Sequence, residues 1–128
     1  MQKGMTLAKT IIGKDMSTFS LPAFLNEPTT ILMKIAESFL FSDLLIKASR
    51  EPDPARRMTH IVSFIAASQW VVNNRVSKPF ISLLGETYEL VTPKFKFIAE
   101  CVKSLPCVVA YHVSGDGFVA YKTCEGKM

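Results

Sequence analysis

With 128 residues, 48% of them hydrophobic and 20% charged, the chain is sized for one domain and carries an apolar excess, which implies either a large core or apolar surface meant for something else. A net charge of +4 and a pI near 9.1 suit an anionic membrane surface, but Arg56–Arg57 is the only adjacent basic pair, which argues against specific nucleic-acid binding. No signal peptide opens the chain and no apolar run reaches the roughly 18 residues of a membrane span, so a cytosolic protein is expected, with Cys101, Cys107 and Cys124 as free thiols at no metal spacing.

The pattern is helical before Ser77 and β after it, which predicts an α+β fold. In "MTLAKTIIG", Leu7 and Ala8 recur as Ile11 and Ile12, and Gly13 fits a helix C-cap. This short amphipathic helix reads either as a core-packed element or as a mobile flap that touches a membrane. Pro22 and Pro28 disfavour helix before them, so "FSLPAFLNEP" is expected to be extended. "TTILMKIAESFL" returns to helix, with Ile31, Leu32, Ile35, Ala36, Phe39 and Leu40 on one face. In "SDLLIKAS", Ser42 is a cap candidate and Asp43 suits the first turn. A longer helix begins at Asp53 and Pro54, and its apolar face is expected to be Met58, Ile61, Val62, Ile65, Ala66, Gln69 and Trp70. Gln69 is polar on that face and is either buried with partners or an edge residue reaching solvent.

After Gly85 the period changes to two. "TYELV" alternates, and "KFKFIAECV" places Phe95, Phe97, Ala99 and Cys101 on one face. "PCVVAYHV" and "GFVAYK" follow, joined by the hairpin turn "SGDG". About four antiparallel strands are expected, with an open edge and no closing element before Met128.

No catalytic constellation stands out. His60 and His112 are isolated, there is no glycine-rich phosphate loop, and no cofactor or metal is implied. Lys78, at the mouth of the apolar "KPFISLLGETYEL", reads either as an ordinary solvated lysine or as a point charge that holds a phosphate at the rim of an apolar cavity.

"LPAFLNEPTT", "ASQW", "KPFISLLGETYEL" and "ECVKSLPCVVAYH" stand in the order found in the oxysterol-binding protein family, which the chain resembles from about Leu7 to Tyr121. The resemblance implies a non-enzymatic carrier of sterol and phosphoinositide that works transiently at organelle membranes. Its fold would be an incomplete antiparallel β-barrel around an apolar tunnel. Residues 1–27 would be a lid, 28–76 a helical layer and 77–128 the first barrel strands, leaving the barrel truncated. Carried over by position, Leu7 and Ile11 match apolar lid residues, and Gln69 and Trp70 match the deep end of the tunnel. Lys78 matches the lysine on the inositol phosphate, and the backbone at Phe24 and Leu25 matches the segment over the headgroup. Three headgroup positions are substituted: Ile81 stands for an asparagine, and Ser104–Leu105 for a histidine pair. Sterol or another apolar lipid is therefore the expected ligand, with phosphatidylinositol 4-phosphate held weakly. The alternative implied by these departures is a fragment without transport activity that binds a protein or a membrane.

Overall fold

The structure is a computed structural model that describes residues 23–73 and 77–125; the expected lid helix, with Leu7 and Ile11, lies outside them. A 3₁₀ turn (Ala23–Leu25) leads into β1 (Asn26–Thr30), then α1 (Ile31–Glu37), a second 3₁₀ turn (Ser38–Phe41), α2 (Asp43–Arg50) and α3 (Pro54–Asn73). After α3 come β2 (Lys78–Phe80), β3 (Thr87–Val91), β4 (Phe95–Ser104), β5 (Cys107–Gly115) and β6 (Phe118–Glu125). β3 to β6 form an antiparallel four-stranded meander, and β1 and β2 pair separately in parallel. The fold is α+β as expected, with four antiparallel strands as the alternation predicts. The sheet is open at β3 and β6 among the described residues.

The alternation in β4 decides the core. Phe95, Phe97, Ala99 and Cys101 are all buried while the residues between them are exposed. Register extends this into rows across the sheet: Leu90, Phe97, Val113 and Ala120 stand side by side, as do Tyr88, Ala99, Tyr111 and Lys122. A register shift between Cys101 and Lys103 inserts one residue near the end of β4. Two-residue connections close the β4–β5 and β5–β6 hairpins. Leu105–Pro106 is a cis pair between Ser104 and Cys107. Asp116–Gly117 lies between Gly115 and Phe118, with Gly117 at φ 78°.

The helices cover the apolar face of this sheet. Leu32, Ala36 and Phe39 are buried at helical spacing, and Phe39 sits at the centre. Its ring centroid lies 5.7 Å from Phe64, 6.1 Å from Phe95, 6.0 Å from Phe97 and 5.8 Å from Tyr111. Such tilted and edge-on contacts each add about 0.5–1.5 kcal/mol beyond area burial. α2 is fixed over one end of the sheet. Asp43 pairs with Lys94 at 2.6 Å beside the β3–β4 turn, and Arg50 pairs with Asp116 at 2.5 Å on the β5–β6 turn. A Cβ on Gly117 would fall 2.3 Å from the Ser49 hydroxyl, so the helix touches that turn directly.

The structure corrects several expectations. Leu40 is 65% exposed, because the helix tightens to 3₁₀ at Ser38. The larger rotation per residue there carries Phe39 inward and Leu40 out. Ser42 makes no side-chain cap. Its backbone is helical (φ −56°, ψ −20°), so the 3₁₀ turn runs into α2 without the extended residue a cap requires. The expected face of α3 is turned the other way: Met58, Val62, Ile65 and Trp70 are all more than half exposed. Ile61, Phe64, Ala67 and Val71 form the less exposed stripe, with Phe64 packed on Phe39. The N-terminus of α3 does follow expectation, since Asp53 Oδ1 accepts the Ala55 N–H at 3.2 Å. The extended reading of "FSLPAFLNEP" holds for Asn26 to Pro28 but not for Ala23–Leu25, and Thr29 and Thr30, expected in the following helix, close the strand, the helix starting at Ile31.

Removing the Phe39 ring would open a cavity under four aromatic partners. Phe39→Ala is expected to destabilise the chain by about 3–5 kcal/mol, against under about 1 kcal/mol for the exposed neighbour in Leu40→Ala. Chemical denaturation of both variants checks this. Equal losses would show that Phe39 does not join the layers.

Candidate functional site

Lys78 is the first residue of β2, and the parallel register sets it opposite Asn26. Asn26 directly follows the Ala23–Leu25 turn, so the pairing brings the Phe24–Leu25 backbone to the lysine. Phe24 is 81% exposed, and Lys78 is half-buried. The Asn26 Oδ1 atom is buried and accepts no hydrogen bond among the described residues. Asn26 was visible only as part of the Asn-Glu-Pro run; nothing in the sequence shows that it pairs with Lys78.

Below this pair, Glu27 forms an ion pair with Lys34 of α1 and accepts a 3.2 Å hydrogen bond from the Thr29 hydroxyl. Burial, and then the nearby Glu27 carboxylate, hold Glu37 above the ordinary glutamate range. Burial, followed by Cys124, likewise pushes the Tyr111 phenol up.

The 81–86 segment and the β4–β5 turn share the other end of the sheet. Gly85 N–H donates to Cys101 O at 2.8 Å, and Cys101 N–H donates to Glu86 O at 3.0 Å. The Cys101 thiol reaches Ser82 O at 3.5 Å. Glu86 caps the turn by accepting the Leu83 N–H at 2.8 Å, and Gly85 takes a φ of 76°. Ser82 is buried and its hydroxyl has no hydrogen-bond partner among the described residues, while Ile81, Leu83 and Leu84 are exposed. Ser104 and Leu105 are exposed at the neighbouring turn, Leu105 at 84%. The substituted positions Ile81, Ser104 and Leu105 are thus brought to one end of the sheet. Gln69 and Trp70 are exposed on the last turns of α3.

A cavity of about 420 Å³ opens between α1 and β3. Met33, Leu40, Tyr88, Leu90 and Phe95 supply apolar walls, and Thr29, Glu37, Ser42 and Lys94 supply polar atoms. Neither Lys78 nor Gln69 lines it. Its size falls in the range of small-molecule pockets. Among the described residues no group of three or more potential metal ligands is gathered. No described helix is long and apolar enough to cross a membrane.

A fold of helices against an antiparallel sheet, with a lysine beside the entering chain, fits a binding domain. The family described as oxysterol-binding protein matches residues 4–128. Human oxysterol-binding protein-related protein 7 is 39% identical over 119 residues, which cover 91% of this chain and 14% of that protein. Oxysterol-binding protein homolog 2 of Saccharomyces cerevisiae is 38% identical over 80% of this chain and 8% of its own length. The ORD domain of Osh1 in complex with ergosterol superposes with a TM-score of 0.85 at 32% identity, over 94% of this chain and 29% of that one. The Osh3 ORD from S. cerevisiae in complex with PI(4)P gives 0.80 at 31%, over 93% of this chain and 32% of that one. The chain belongs to the oxysterol-binding protein family, and it spans about a third or less of the relatives it matches.

The raised Glu37 yields a pH prediction. The folded chain binds this proton more tightly than the unfolded chain does. Stability is therefore lost as pH rises from the ordinary glutamate value through the raised one. Glu37→Gln, which cannot ionise, is expected to gain stability relative to the unaltered chain between about pH 4 and neutrality, with the gain vanishing in acid. Thermal melts of both across that range check it. A constant difference would mean that the carboxyl titrates normally.

Proposed function

We propose that the chain contributes the lid-side and first-strand part of a lipid-carrying domain whose ligand is a sterol or a similar apolar lipid. The observation that carries the reading is its superposition over 94% of its length on an ORD domain holding ergosterol, at a TM-score of 0.85. The same Osh1 domain also forms a complex with cholesterol. A carrier needs an enclosing apolar wall and no covalent step, which agrees with a sheet apolar on one face. The carrier would act in the cytoplasm, peripherally at organelle membranes, with Gln69 and Trp70 toward the sterol and Lys78 toward the headgroup end. A fluorescent sterol titrated into folded, monomeric protein is expected to bind saturably. Non-saturable uptake would remove the sterol assignment from this chain.

Phosphoinositide is the weaker half of the proposal. Osh3 holds PI(4)P. Here Ile81, Ser104 and Leu105 occupy the positions where the family's amide and two basic side chains would meet phosphate. Charge-assisted hydrogen bonds contribute about 1.5–3 kcal/mol each, so losing two or three weakens binding by several orders of magnitude. Extraction of phosphatidylinositol 4-phosphate from liposomes is expected to be weak. Ile81→Asn with Ser104→His and Leu105→His should raise it in a chain extended through the remaining domain. Strong extraction by the unaltered sequence would show that these contacts are dispensable.

A second reading, a protein- or membrane-interaction module without transport, is favoured by Met58, Val62, Ile65 and Trp70, an exposed apolar set on one helix. Under this reading the isolated chain binds hydrophobic dye, and Val62→Glu with Ile65→Lys lowers the signal. A dye-silent monomer with a sharp melt would count against it.

A further inference from the structure

We infer that Cys101 and Cys107 are a dithiol site that hydrogen peroxide converts to an intramolecular disulfide across the β4–β5 hairpin. Their sulfurs lie 3.9 Å apart, and both side chains are buried on the apolar face of the sheet. The register shift between Cys101 and Lys103 draws Cys101 toward the turn, while Cys107 pairs with Ser104. A disulfide requires the sulfurs to close by about 2 Å, a movement within side-chain rotation and slight hinging of a short hairpin. Cys124 is a poorer partner for Cys101: it lies on β6 opposite Val109, and Val109 stands between it and Cys101 in the sheet.

The chemistry balances with peroxide as the two-electron oxidant. The Cys107 thiolate, 5% exposed where Cys101 is fully covered, attacks the O–O bond and becomes a sulfenic acid as hydroxide leaves. The Cys101 thiolate then attacks the Cys107 sulfur and displaces a second hydroxide. The two hydroxides take up the two thiol protons, leaving two waters and one S–S bond. Peroxide is small enough for a site that excludes bulky disulfides. Burial, then the Cys101 thiol, and last the Glu86 carboxylate hold the Cys107 thiol above its ordinary range, so the first step is slow at neutral pH.

The bond has a local consequence. Cys101 is tied to the 82–86 segment by its amide, its carbonyl and its thiol. Oxidation removes the thiol's one hydrogen, which the Lys103 carbonyl at 3.3 Å and the Ser82 carbonyl at 3.5 Å both face, so this sulfur chemistry bears on the segment that follows Lys78.

Trypsin separates the cysteines, because Lys96, Lys103 and Lys122 put Cys101 in peptide 97–103, Cys107 in 104–122 and Cys124 in 123–127. The folded chain is treated with hydrogen peroxide, blocked with iodoacetamide under denaturing conditions, digested without reductant and analysed by mass spectrometry. The expected product is peptide 97–103 joined to 104–122, with Cys124 alkylated. The same link should form in Cys124→Ser and be lost in Cys107→Ser. In denaturant the yield should fall and links to Cys124 should appear. Links to Cys124 or between chains in the folded sample, peroxide-stable free thiols at both positions, or over-oxidation of Cys107 without a link would each overturn the inference.

Discussion

The position of one ring, Phe39, holds the structure together. A sheet with one apolar face is stable only when something covers it. Here the cover is short: a seven-residue helix and a 3₁₀ turn present Leu32, Ala36 and Phe39. Phe39 fills the space between Phe95, Phe97 and Tyr111 on the sheet and Phe64 on α3. Its inward direction depends on the tightening of the chain at Ser38. A regular α-helix through Phe41 would rotate the following residues differently and leave the sheet less well covered. The ion pairs of α2 are exposed and contribute little by themselves. They orient a helix whose place the core has already set.

The meander has two dissimilar ends. At one, the β3–β4 and β5–β6 turns meet α2. At the other, the β4–β5 turn meets the 81–86 segment through backbone hydrogen bonds to Cys101. The first end is structural, and the ion pairs that join it to α2 are side chain to side chain. The second carries exposed Ile81, Leu83, Leu84 and Leu105, and holds together largely through main-chain groups. Side chains at this second end can change without loss of the backbone arrangement.

Legibility in the sequence followed how one-sided each segment is. β4 was readable because lysine and glutamate alternate with Phe95, Phe97, Ala99 and Cys101, leaving a single possible inner face. α3 was not, because Met58, Val62 and Ile65 are as apolar as Ile61, Phe64 and Val71. Tertiary packing, on the Phe39 ring and on α2, chooses between the two stripes. The β1–β2 ribbon was invisible for the same reason of distance: neither NEPTT nor KPF has a period, and Pro28 speaks against a central strand. Lys78 is a candidate through the resemblance of its motif alone. Its neighbour Asn26 and the buried Ser82 required the fold, since their importance comes from pairing and burial and not from residue type.

The parallel ribbon has a mechanical consequence. β1 and β2 run in the same direction, so their first residues lie at the same end. Tension between the chain preceding Asn26 and the end of α3 therefore peels the ribbon rung by rung, as a zipper opens, and does not shear all its bonds at once. The rung loaded first is Asn26 against Lys78, and Thr30 against Phe80 is loaded last. A pull at Ala23–Leu25 is felt at the lysine before the rest of the ribbon yields, at a force set by one rung.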